Sequence, residues 1–119
     1  MPNKAEHVAQ AQHNLSFFRS LDLTSTSFLD WAVTATFYQA VHWIEAYFAV
    51  HGVHSDTHRR RMQSIAKFSG DLLSVGTDLA MLKADSENAR YWCYKFSAQE
   101  ALGDQQVADR IESVVRPLI

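Results

Sequence analysis

The stretch DWAVTATFYQAVHWIEAYFAVHGVHSDTHRRR, Asp30 to Arg61, decides the fold. From Phe28 to Val50 nearly every position is apolar. The exceptions Asp30, Thr34, Thr36, Gln39, His42 and Glu45 drift around the helix axis instead of lining one face. A helix patterned in this way is buried on most of its sides. It is expected to run to about His51, where Gly52 supplies the backbone freedom for a C-terminal turn. A new helix is expected to begin near Ser55 or Asp56 and to carry Arg59, Arg60 and Arg61 in its first turns.

Outward from this centre the periodicity stays helical. Val8, Ala11, Leu15 and Phe18 recur at three- and four-residue spacing and predict an amphipathic first helix over Lys4 to Ser20. Ser27, followed by Asp30, is expected to cap the second helix. The third helix holds two glycines between Phe68 and Gly76 and is predicted to bend or break there, resuming through Leu79, Leu82 and Ala89 to about Tyr91. Ser97-Ala-Gln-Glu100 is a capping-box pattern, although Gly103 leaves the start of the last helix open between Ala98 and Asp104. Its stripe is Val107, Ala108, Ile111, Val114, Val115 and Leu118, and Pro117 marks its end. No alternating run bounded by hairpin turns competes. The expectation is an all-α chain, most simply an antiparallel four-helix bundle with a bent or broken third helix, forming one domain over residues 1–119.

Composition narrows the function classes. Seven Phe, four Tyr and three Trp argue against disorder. A formal net charge of −2 lacks the basic excess of a dedicated nucleic-acid binder, so any anion site must be a local patch. The lone Cys93 cannot close an intrachain disulfide, and the N-terminal residues show no signal-type apolar run, which points to a reducing cytoplasm. Asp30, Gln39, His42 and Glu45 would each be costly in hydrocarbon, so the second helix is not read as a membrane span. A central helix that is apolar all round, with Trp31, Trp43, Tyr47 and Trp92, offers more apolar surface than a small bundle hides. A homo-oligomer is therefore expected, the other explanation being that the broken third helix covers the extra face.

The same central stretch, followed by LKADSENARYW (Leu82 to Trp92), resembles the HEPN superfamily, prokaryotic helical domains with an aromatic-rich second helix, a Gly-x-His-type corner and a downstream Ser-x-x-Ala-Arg-Tyr segment. The matching positions are Phe37, Tyr38, His42, Gly52, His54, Ser55, His58, Arg61, Ser86, Ala89, Arg90 and Tyr91. The resemblance implies a four-helix bundle, usually dimeric, associated with RNA, nucleotides or a nucleotidyltransferase partner and often found in toxin–antitoxin pairs. Ribonuclease members carry an arginine with a histidine a few residues beyond it. Here Arg90 is followed by Tyr91 and Trp92, and no histidine occurs after His58. The general acid/base of the family mechanism thus has no owner, and the resemblance implies a non-catalytic binding domain with no cofactor. The alternative is a metal-independent ribonuclease with a rearranged site that uses Arg90, His54 or His58 across a subunit interface.

The residues that could carry binding are His54, His58, Arg59, Arg60, Arg61 and Arg90. The arginines follow a helix start whose free amides also attract anions, so Ser55 to Arg61 is the best local phosphate site. Against it, three consecutive residues span too wide an arc to converge on one ligand, and salt bridges to a neighbouring helix explain them as well. A transition-metal site from His51, His54 and His58, with His42 and Glu45 one helix earlier, is the remaining alternative. Without a paired-cysteine or HExxH signature, hydrogen-bonded or solvent-facing histidines are the simpler reading.

Overall fold

A computed structural model describes all of residues 1–119. The chain is all-helical, without a strand: α1 (Lys4–Arg19), α2 (Leu29–Val50), α3 (His58–Lys67), α4 (Ser69–Leu72), α5 (Val75–Tyr91) and α6 (Ala98–Val115), closed by a 3-10 turn over Arg116–Leu118. No helix is long and apolar enough to cross a membrane.

The central position of α2 follows from its sequence. It packs against α1, α5 and α6, and it buries fourteen residues, Thr34, Thr36, Gln39 and Glu45 among them. Its aromatic side chains divide sharply. Trp43, Tyr47 and Phe48 lie in the main core with Leu79, Leu82 and Ile111, whereas Trp31 and Tyr38 reach solvent. A second, smaller core joins Phe18, Ala32, Val33, Ala89, Phe96 and Ala101 near the start of α2. The surplus apolar surface is thus partly hidden inside the chain and partly left open.

The expected break after Phe68 separates α3, α4 and α5. The short α4 sets Asp71 opposite the core, where its Oδ2 accepts a 2.5 Å hydrogen bond from the Tyr47 hydroxyl. Phe68 packs edge-on against Tyr47 at 5.3 Å, so the broken segment does cover one face of α2. Burial, reinforced by the bond to Asp71, pushes the Tyr47 hydroxyl up to about 12.

Helix ends follow local chemistry, with two corrections. Gly52 takes φ +69° and closes α2 with Val53 N–H on the Phe48 carbonyl at 2.9 Å and Gly52 N–H on that of Ala49 at 3.2 Å. This is the Schellman pattern. Ser97 caps α6 and Glu100 returns the bond, which settles the start at Ala98. Ser27 does not cap α2: the cap position is Phe28, whose side chain has no hydrogen-bond acceptor, and the Thr26 hydroxyl accepts from the Phe28 amide at 3.1 Å. Helix α3 begins later than expected, capped by Thr57, because Ser55 and Asp56 are committed elsewhere.

Candidate functional site

The left-handed turn at Gly52 folds His54, Ser55 and Asp56 back beside α2. There the Ser55 hydroxyl donates to Glu45 Oε1. Arg61 Nε donates to the same oxygen at 2.8 Å, and the two charged side chains are only 13% and 7% exposed. The Arg61 guanidinium is therefore spent on a buried carboxylate. Arg60 pairs with Asp56 at 3.1 Å on the open surface, while its amide donates to the Thr57 cap at 3.1 Å. Arg59 is exposed and forms no ion pair within the chain. Of the three expected anion contacts, it alone keeps its charge uncommitted.

The two corner histidines part company. His54 lines a cavity of about 280 Å³ with His7, His42, Glu45 and Arg61. His58 packs tilted against Phe37, with ring centroids 6.1 Å apart, and borders a different cavity of about 410 Å³, with Lys83, Glu87 and Trp92. Burial first, then the nearby Lys83 and Arg61 charges, lowers the His58 pKa below its ordinary value, and its Nδ1 is buried without a partner. His51 packs instead on Tyr47 at 4.4 Å and on Phe68 at 5.0 Å. The three neighbours in sequence thus occupy three separate environments, and no group of three or more His, Cys, Asp or Glu side chains is placed to share a metal ion.

Arg90 sits near the end of α5, away from the corner. Its Nη1 donates to the Tyr38 hydroxyl at 3.3 Å, and its guanidinium carbon lies 5.5 Å from the Tyr38 ring and 5.2 Å from that of Tyr91. Such stacking holds a cation, and the Arg90 Nε is buried without a hydrogen-bond partner. Arg90 and Asp30 border the same cavity of about 230 Å³, with Trp31 and Tyr91, yet make no ion pair with each other. Beside it, Phe17, Phe28 and Trp31 wall an apolar hollow of about 450 Å³. Trp31 is 53% exposed and Tyr91 68%. The exposed aromatic rings of this face thus lie beside Asp30 and Arg90, neither of which forms an ion pair within the chain.

Two polar groups were hidden from sequence reading. His7 belongs to the buried face of α1 with Ala11 and Phe18, a spacing of four and seven residues that was legible, and its Nδ1 meets His42 Nδ1 at 3.0 Å. Asp104 stands on the buried face of α6, four residues before Ala108, and one carboxyl oxygen has no hydrogen-bond partner. Burial, with Asp85 facing it, pushes the Asp104 carboxyl up to about 8.

Comparisons with family models, curated proteins and solved structures return no match. The HEPN resemblance therefore rests on the residues between Asp30 and Tyr91 alone.

Proposed function

We propose that residues 1–119 form one HEPN-like domain, its long helices packed as an antiparallel four-helix bundle, that works in the cytoplasm as a non-catalytic interaction protein and self-associates through the aromatic face around Arg90. The observation that carries this reading is the exposure of Trp31, Tyr38 and Tyr91 on a chain that buries Trp43, Tyr47 and Phe48 completely or nearly so. A second copy is the occupant that suits the charges. A two-fold contact is self-complementary, so Asp30 of one copy meets Arg90 of the other while the aromatic rings lose water. RNA is the competing occupant, because stacked aromatic rings beside an arginine also receive bases.

Light scattering and RNA incubation separate these outcomes. The wild type is expected at twice the 13.5 kDa chain mass at micromolar concentration, and Trp31→Glu at the chain mass itself. A monomeric wild type would sink self-association. Labelled RNA incubated in chelator should stay intact; cleavage that disappears in Arg90→Ala would instead establish the rearranged ribonuclease site.

A further inference from the structure

Asp30 stands in the first turn of α2 and Arg90 in the last turn of α5. The smaller core joins these two helix ends through Ala32, Val33 and Ala89, which brings both charges to one cavity of about 230 Å³. Each has bonding capacity left over. The Asp30 carboxylate makes no hydrogen bond within the chain, and neither of its oxygens is buried. Arg90 spends Nη1 on the Tyr38 hydroxyl and has Nε buried, whereas Nη2 is neither bonded within the chain nor buried. The Tyr38 and Tyr91 rings, 5.5 and 5.2 Å from the guanidinium carbon, hold the group in place.

An apolar hollow adjoins these charges. Trp31 and Thr34 line both the charged cavity and the hollow of about 450 Å³, which Phe17, Leu21 and Phe28 close from the other sides. The Thr34 hydroxyl already donates to the Asp30 carbonyl at 2.9 Å, so the hollow offers no free polar donor of its own. Its volume is within the range of small-molecule sites, about 300–1,000 Å³.

The charges restrict what can fill both spaces. A carboxylic acid with an apolar body would gain Arg90 and be repelled by Asp30, and an amine of the same shape would meet the reverse. A molecule that carries both charges on the carbon bearing its apolar group satisfies all three features. Lys95, itself without an ion pair, borders a neighbouring cavity together with the same Asp30 and Arg90 and adds to the attraction for a carboxylate.

We propose that Asp30 and Arg90 bind the ammonium and the carboxylate of a free α-amino acid whose large apolar side chain lies along Trp31 in the hollow. The same two charges are those that a second copy would meet, so the amino acid and the second copy exclude each other. This exclusion rests on the self-association proposed above; the binding itself does not.

Nitrogen-15 spectra of the wild type titrated with millimolar L-phenylalanine at pH 7.5 test the site. The Trp31 indole signal is expected to shift and saturate, while that of the buried Trp43 stays in place. Affinity should fall roughly tenfold or more in Arg90→Gln and in Asp30→Asn, and remain unchanged in Arg59→Gln. Against the wild type, phenylpropionate, which lacks the ammonium, and phenethylamine, which lacks the carboxylate, should each bind roughly tenfold or more weakly. An unmoved Trp31 signal would overturn the site. So would either analogue binding as tightly as the amino acid, since the hollow alone would then be the attraction. Light scattering at saturating L-phenylalanine should return the chain mass of 13.5 kDa; twice that mass with Trp31 saturated would overturn the exclusion. A wild type that is monomeric without ligand removes self-association, and the Trp31 titration still decides the amino-acid site.

Discussion

Arg61 and Glu45 form a buried ion pair across the corner between α2 and α3, Nε to Oε1 at 2.8 Å, with Ser55 donating to the same oxygen. The pair explains why an acid is tolerated on the innermost helix, and why one of three consecutive arginines turns inward. Removing a single partner leaves the other charge buried and unpaired, which costs about 3–5 kcal/mol. Arg61→Ala should accordingly lower the urea unfolding free energy by about 3 kcal/mol. The double change Glu45→Gln with Arg61→Met should recover most of that loss. A single variant that stayed within about 0.5 kcal/mol of the wild type, the range of ordinary surface substitutions, would show the pair to be solvated.

Asp104 makes the opposite prediction from a carboxylate that has no cation. Its pKa, pushed up to about 8 by burial and by Asp85, stands above the value near 4 of an unfolded chain. Between those values the folded protein holds a proton that the unfolded chain has released. Stability is therefore fully present below about pH 4, falls as the pH rises, and levels off above about pH 8. Asp104→Asn keeps the shape, removes the titration and should be the more stable protein at pH 8 by about 1–3 kcal/mol. Urea midpoints from pH 5 to 9 check this: the wild type should decline across the range more steeply than the variant. Parallel profiles would mean that the carboxyl is ionised at neutral pH.

The parts of this architecture that were legible are those set by local chemistry. The apolar run of α2, the glycine turn at Gly52, the Ser97–Glu100 capping box and the break after Phe68 each depend on residues close in sequence. What was not legible depends on partners across the fold. An all-apolar helix does not reveal which aromatic rings face outward, so Trp43 and Tyr47 could not be told from Trp31 and Tyr38. The bond of His7 to His42 spans 35 positions, and Asp71 meets Tyr47 across 24. Ser55 was a fair candidate to cap α3 until Glu45 claimed its hydroxyl, which moved the cap to Thr57. The expected binding residues suffered the same fate, since His54, His58 and Arg90 line three different cavities.

Cys93, just beyond the Trp92 cap of α5, takes φ +55° and is the only non-glycine residue in the left-handed region. An L side chain there costs about 1–2 kcal/mol, and glycine removes that strain while adding freedom to the unfolded chain. Cys93→Gly should therefore gain about 0.5–1 kcal/mol, seen as a rise in melting temperature of roughly 2–6 °C for a chain of this size. Cys93→Val, which is β-branched, should move the other way. Equal melting temperatures for the two would show that the thiol, not the backbone, decides this position.

Two helices start on the same motif, and the fold makes the motifs unequal. Asn3 and Glu6 exchange bonds of 2.9 and 3.2 Å at the start of α1; Ser97 and Glu100 exchange bonds of 3.0 and 2.9 Å at the start of α6. By geometry alone, alanine at either cap should cost about 1 kcal/mol. However, Glu100 also accepts a 2.7 Å bond from the Tyr94 hydroxyl, and the first turn of α6 delivers fully buried Ala101 to the smaller core. The first buried residue of α1 is His7, and everything before it is exposed. Losing the Asn3 cap lets the outermost turn fray into water at little expense to packing. Losing the Ser97 cap cannot be relieved by fraying without pulling Ala101 and Phe96 from their contacts. Ser97→Ala should therefore cost about 1–2 kcal/mol in urea unfolding, and Asn3→Ala no more than about 0.5 kcal/mol. If the two losses came out equal, the helix starts would be worth only their hydrogen bonds, and the smaller core would contribute nothing to holding α6 in place.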